Sequence, residues 1–178
     1  MSLIYVTGIS GSGKSTVKAE LVRRGYSALD VDEDNFKSWY NRKTDELAKE
    51  QKTWEEAEAD RNWHEQHWLK IERSRVKKLH EVSMQSSSPV FLTGSTPNDK
   101  DILDLFDRVI FLQVSNKTLK HRILTRTNNS YGKHPDDLKD ILIWNSTAEA
   151  QNINYGAVSI DAERPIGQVV NDILQLTT

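Results

Sequence analysis

The segment Gly8-Ile9-Ser10-Gly11-Ser12-Gly13-Lys14-Ser15-Thr16 matches the spacing G-x-x-x-x-G-K-[S/T]. It lies between an apolar run of strand length, Leu3–Thr7, and a stretch of helical period, Lys14–Arg24. A strand that turns through glycines straight into a helix leaves few folds open. The helix must pack back on a sheet, and the next parallel strand is reached by a right-handed crossover. Further apolar runs at Tyr26–Val31, Val90–Thr93, Arg108–Val114 and Tyr155–Ile160 read as buried strands. Helices are expected over Thr44–Val82, Lys100–Phe106, Asn116–Arg126, Asp136–Gln151 and Ile166–Leu176. The alternation predicts a three-layer α/β/α sandwich around a five-stranded parallel sheet, with the glycine loop at the carboxyl edge where such sheets bind ligands. A chain of 178 residues suits a single domain, 1–178.

The glycine motif carries its own chemistry. Glycines let successive backbone N–H groups turn inward around phosphate oxygens, and the helix N-terminus adds positive potential. The lysine of such a motif bridges the outer phosphates, and the hydroxyl that follows it ligates magnesium. Gly8, Ser10, Gly11, Ser12, Gly13, Lys14, Ser15 and Thr16 are therefore the candidate nucleotide-binding residues, with Ser15 also a metal ligand. ATP and Mg2+ are the expected cofactors.

Composition narrows the partners. A formal charge of −2 supplies no large positive field to gather a polyanion, so a nucleic-acid partner is disfavoured and a small substrate fits better. The absence of cysteine excludes disulfide frameworks, thiolate metal sites and cysteine nucleophiles, and makes the cytosol the expected compartment. The apolar stretch before Gly8 is too short and lacks the basic flank of a signal peptide, and no run is long enough to span a bilayer.

With these residues in place, the chain resembles the P-loop kinases of the nucleoside monophosphate kinase and shikimate kinase type over almost its whole length. Leu29-Asp30-Val31-Asp32-Glu33-Asp34 resembles the D-x-D of shikimate kinases, one crossover after the phosphate loop. Residues two apart on an extended strand point the same way, so Asp30 and Asp32 are both expected at the carboxyl-edge cleft. The resemblance implies that Asp30 helps hold magnesium and that Asp32 orients or deprotonates the acceptor hydroxyl. Arg122-Ile123-Leu124-Thr125-Arg126 resembles the R-I-x-x-R that leads into the lid of adenylate-type kinases. Its spacing puts Arg122 and Arg126 on one helical face, one against adenine and the other against transferring phosphate. A polar lid is expected over residues 127–136, with Lys133 within reach of phosphate. Ser159–Pro165 looks like the end of the last strand in these kinases, where backbone passes the adenine edge.

Departures from the family pattern matter as much. No acid stands at the end of the third strand, where Phe91-Leu92-Thr93-Gly94-Ser95-Thr96-Pro97-Asn98 runs, so Asp30 or water is expected to replace that acid. Gly94, Ser95 and Thr96 are candidates to contact the acceptor. The arginines that would hold a shikimate carboxylate are not evident. Acceptor recognition is expected in a helical insert, residues 34–85, which carries Trp39, Tyr40, Trp54, Trp63 and Trp68. There Trp54, Ala57, Trp68, Ile71 and Leu79 recur as one core-facing helical stripe, while Trp39 and Trp63 are candidates to stack on an acceptor. Arg61, Arg73 and Arg75 are candidate anion clamps, and His64 with His67 lacks a third metal ligand.

The expectation is an ATP- and magnesium-dependent phosphotransferase acting on a hydroxyl of a small molecule, as a monomer or homodimer. Lys14, Asp32, Arg122 and Arg126 are its candidate catalytic residues. A nucleoside or nucleotide kinase is the alternative within the enzymes. A nucleotide-operated switch or accessory ATPase is the alternative from another class.

Overall fold

A computed structural model describes residues 1–127 and 131–177. Its main sheet contains β1 (Leu3–Thr7), β2 (Ser27–Asp30), β5 (Val90–Thr93), β6 (Arg108–Gln113) and β7 (Val158–Asp161), in the order β2-β5-β1-β6-β7. All neighbours pair in parallel, and β1 lies at the centre. Each residue of β1 is buried, as a strand covered on both faces requires. Alternation divides its side chains between two cores. Ile4 and Val6 pack with Val17 and Leu21 of α1 (Lys14–Arg23), Leu119 and Ile123 of α5 (Asn116–Thr125), and Val169, Val170 and Ile173 of α7 (Ile166–Gln175). Leu3 and Tyr5 pack on the opposite face with Val76 of α4 (Arg73–Met84) and Ala148 of α6 (Pro135–Asn154). The expected three layers and five strands are present.

The stretch between β2 and β5 departs from the single long helix expected over Thr44–Val82. It forms an antiparallel hairpin, β3 (Lys37–Asn41) with β4 (His67–Ile71), and the short helices α2 (Trp54–Ala59) and α3 (Arg61–Gln66) lie between its strands. Tryptophan and tyrosine suit a half-buried pleated surface, and here cross-strand pairing overrides the apparent helical period. Tyr40 faces Trp68 and Lys37 faces Ile71. The stripe expected from Trp54, Ala57, Trp68, Ile71 and Leu79 is accordingly split among α2, β4 and α4. Strong local caps break the run: Thr53 and Glu56 form a capping box at α2, and Asp60 ends α2 while its carboxylate accepts the Trp63 N–H of α3. The helix expected over Lys100–Phe106 is likewise two 3-10 turns, Asp99–Asp101 and Leu103–Leu105.

Candidate active site

The site begins where β1 ends. Gly13 takes a left-handed φ of 110° as the N-cap of α1, a conformation that an L side chain adopts only with strain. Buried Gly8 opens the loop, with half-buried Ser10 and Gly11 along it; Ser12 is fully buried, and its hydroxyl has no hydrogen-bond partner among the described residues. Ser15 and Thr16 are exposed on the first turn of α1. The Lys14 ammonium donates to the carbonyls of Gly8 at 2.6 Å and Ile9 at 3.3 Å, so the loop curls around its own cation. Desolvation drags the Lys14 pKa down to about 8, while the charges of Asp32, Asp30 and Asp99 act to raise it.

Both expected arginines reach this loop, Arg122 from the last turn of α5 and Arg126 from the extended residue that caps its end. Arg122 donates through Nη1 to the Ser12 carbonyl at 3.0 Å and through Nη2 to the Ala162 carbonyl, just past β7, at 2.9 Å. Its planar fork thus ties the phosphate loop to the end of the last strand instead of standing free as an adenine platform. Arg126 donates through Nη2 to Ser10 Oγ at 3.3 Å and to the Tyr131 carbonyl, and its buried Nε is unpartnered among the described residues. Desolvation lowers the pKa of this guanidinium, the direction expected for a cation held under a cover. Of the expected lid, residues 128–130 lie outside the described residues, and Lys133 is exposed.

The aspartates meet the site by a different route from strand alternation. β2 ends at Asp30, and Asp32 stands in the turn that follows. Buried Asp30 builds that turn itself: Oδ1 accepts the Asp32 N–H at 2.8 Å, and Oδ2 accepts the Thr93 hydroxyl at 2.8 Å. The Asp34 carboxylate closes it by accepting the Asp30 N–H at 2.7 Å. Asp32 is exposed and ion-pairs with Lys37 of β3, a partner not anticipated from the sequence. Gly94 completes the arrangement from β5, because any Cβ there would run into Val31, the residue between the two aspartates.

A further acid occupies the region where the family's strand-end acid is missing. Asp99 lies beyond the end of β5, yet its carboxylate accepts from Tyr5 Oη at 2.9 Å and Thr7 Oγ1 at 3.3 Å on β1. It also accepts from the backbone N–H of Thr96 at 2.8 Å. Desolvation raises its carboxyl pKa, and burial next to this acid raises the Tyr5 phenol well above its ordinary value. The only sequence signal was an acid in a short polar loop, which does not reveal that the loop folds back under β1.

In the insert, Trp39 is buried and stacks on Trp54, with the rings of Trp63 and His64 edge-on to it. Trp39 and Trp63, offered above to an acceptor, are thus engaged within an aromatic cluster. Arg61 pairs with Glu65 and Arg73 with Asp104, while Arg75 donates to the Asn35 and Lys37 carbonyls. Among the described residues no group of three His, Cys, Asp or Glu side chains is placed to hold a metal. Mg2+ still fits the residues present. It takes hard oxygen ligands in small number and completes its shell with water and substrate phosphates; Ser15, which follows Lys14 in the chain, and Asp30, whose charge acts on Lys14, offer such oxygens.

A phosphate loop at the carboxyl edge of a parallel sheet ordered β2-β5-β1-β6-β7, with an insert after β2 and arginines at the end of α5, defines a P-loop kinase fold. The chain belongs to the AAA domain family, whose pattern matches residues 4–149. Its fold is shared with shikimate kinase from Acinetobacter baumannii in complex with shikimate: TM-score 0.60, 18% identity, 99% of this chain and 92% of that one. Deoxyadenosine kinase from M. mycoides with bound dATP superposes with a TM-score of 0.55 at 17% identity over 98% of both chains. A gluconokinase from Sinorhizobium meliloti 1021 gives 0.52 at 20% identity over 99% of this chain and 93% of that one. No curated protein matches the chain. No helix among the described residues is long and apolar enough to cross a membrane.

Proposed function

We propose that the chain is an ATP-dependent kinase that transfers the γ-phosphoryl group to a hydroxyl of a small molecule, working in the cytosol. The observation that carries this reading is the convergence on one loop of Lys14, the charges of Asp32 and Asp30, and Arg126. Binding a nucleotide needs the loop and its lysine, and an exposed acid whose charge acts on that lysine supports a group there to orient an acceptor hydroxyl. The proteins that share the fold include a shikimate kinase in complex with shikimate, a gluconokinase and a deoxyadenosine kinase, which supports a small-molecule acceptor and leaves a nucleoside as the alternative class.

In this reading the backbone N–H groups of Gly11 and Gly13 and the Lys14 ammonium cradle the phosphates. Ser15 and Asp30 would hold Mg2+, which would neutralise charge on the phosphate oxygens. Asp32 accepts the hydrogen bond of the acceptor hydroxyl and takes its proton as the oxygen bonds to the γ-phosphorus and the bond to the ADP oxygen breaks. Lys37 holds the Asp32 carboxylate toward the cleft. Arg126 meets charge on the transferring group, and Arg122 keeps the loop in register with the strand end at Ala162.

ADP release should be measured with ATP and Mg2+ against nucleosides, nucleoside monophosphates, sugars, sugar acids and other polyols, with Lys14→Ala and Asp32→Asn alongside. One acceptor class should raise ADP release, and both substitutions should remove the increase. Acceptor-independent hydrolysis that Asp32→Asn leaves untouched would replace this reading with a nucleotide-operated switch or accessory ATPase.

A further inference from the structure

The loop that leaves β5 carries adjacent side chains that reach different elements. Buried Asn98 accepts the Ile71 N–H through Oδ1 at 3.0 Å and donates through Nδ2 to the Ile71 carbonyl at 3.2 Å. A side-chain amide is suited to this, since it presents a donor and an acceptor together. It satisfies both main-chain groups of the last residue of β4, whose partner across the hairpin is Lys37. Asp99, next in the chain, is bonded to Tyr5 and Thr7 of β1, and Thr7 directly precedes Gly8 of the phosphate loop. Thr96 Oγ1 stands between the two, 2.5 Å from Asp99 Oδ1 and 3.2 Å from Asn98 Oδ1, with one hydroxyl proton for both acceptors and the shorter contact to Asp99. Polar contacts therefore run from Thr7 through Asp99, Thr96 and Asn98 to Ile71, which stands opposite Lys37, the partner of Asp32, in the hairpin register.

The hairpin has reason to depend on this path. It forms a sheet separate from the five-stranded one and carries its own small core of Trp39, Ala48 and Ala57. A body with its own core can shift as a unit where it meets its neighbour. Buried hydrogen bonds at that junction have defined geometry and resist continuous deformation, so they transmit a displacement instead of absorbing it.

We propose that Asn98 and Asp99 are positioning residues that couple the β3–β4 hairpin to the phosphate loop, so that nucleotide on Gly8–Thr16 sets the hairpin, and with it Lys37 and Asp32, for the acceptor. This rests on the phosphate loop binding nucleotide, as proposed above. Their side chains are engaged with Ile71 of β4 and with Tyr5 and Thr7 of β1. They act through β1 and β4.

The chain supplies its own reporter. Of its tryptophans, Trp39, Trp54, Trp63 and Trp68 lie in the insert, and the remaining one, Trp144, is on α6 and exposed. In a Trp144→Phe background, tryptophan emission therefore reads the hairpin region, and ADP with Mg2+ is the probe. ADP affinity is measured separately by calorimetry, and folding of each variant by circular dichroism. ADP should change the emission of the Trp144→Phe protein. Asn98→Leu should remove most of that change while ADP affinity stays within about threefold, because a coupling can be lost with binding kept. Asn98→Asp, which retains an acceptor for the Ile71 N–H, should keep part of the response and serves if the leucine variant does not fold. Asp99→Asn should weaken the response from the other end of the path. A full response in folded Asn98 and Asp99 variants, or ADP binding with no emission change in the parent, overturns the coupling. ADP that does not bind, or binds equally well to Lys14→Ala, instead removes the nucleotide reading, and the coupling falls with it.

Discussion

Lys14 ties stability and ligand binding to pH in opposite directions. Its ammonium titrates at about 8 in the free protein instead of 10.5. Between those values the unfolded chain holds the proton and the folded chain releases it, so this group makes stability rise with pH across that window. Nucleotide affinity runs the other way, because the charge that bridges phosphates is lost as pH climbs through 8. Titrating ADP affinity and the urea midpoint from neutral pH upward should show the two slopes, and Lys14→Met should flatten both. An ADP affinity that ignores pH in the parent protein would remove Lys14 from the phosphate site. Gly94 offers a second test at this scale. Gly94→Ala drives a methyl group into Val31 and should cost about 1–3 kcal/mol, as overpacking does, with acceptor-dependent turnover falling further because Asp30 and Asp32 flank that valine. Thermal melts beside turnover decide it; a variant with unchanged melting and activity would mean that the turn moves freely. What was legible at this scale followed chain continuity. The phosphate loop is nine consecutive residues whose spacing states its chemistry, whereas Asp99 and Lys37 meet their partners only through folding.

At the end of α5, Arg122 in the last turn and Arg126 at the cap divide the work, and their partners say how. Arg122 has both Nη atoms committed to backbone carbonyls, at Ser12 and Ala162, so its loss frees the loop from the last strand. Arg126 meets a hydroxyl and a carbonyl while its buried Nε is unpartnered among the described residues, which leaves it more to offer an incoming phosphate. Arg126→Lys, which keeps the charge but loses the fork, should lower kcat by about tenfold or more with KM little changed, the signature of an interaction made in the transition state. Arg122→Lys should act mainly on nucleotide KM and on melting temperature. Steady-state kinetics on both variants separates the roles, and a kcat loss confined to Arg122→Lys would reverse them. The helical spacing of these residues was readable in sequence because period is a local property. The insert was not, since Trp68 and Ile71 find their partners on β3, some thirty residues earlier. A pattern that satisfies a helix on paper is overruled when cross-strand pairs and the caps at Thr53 and Asp60 all favour breaks.

The molecule as a whole consists of a continuous two-faced core with a smaller body attached at one edge. β1 is buried along its full length and shared between the two large cores, so opening it means global unfolding. The hairpin rests on a core of Trp39, Ala48 and Ala57, with Trp63 and Leu69 packed against it, and should open by a local route well below the global free energy. Native-state hydrogen exchange should therefore find the amides of β1, β5 and β6 slowest and those of β3 and β4 faster by orders of magnitude. Saturating ADP stabilises whatever must be folded to bind it, by about 2.7 kcal/mol at a hundred times Kd. That protection should appear in full on β1 and α1. On the hairpin it should appear only to the extent that nucleotide binding requires the hairpin in place. If β3 and β4 exchange as slowly as β1 without ligand, the insert is a cooperative part of the main fold. A substrate site built on it would then be rigid from the outset, and acceptor specificity would come from its fixed shape, with no contribution from closure around the bound acceptor.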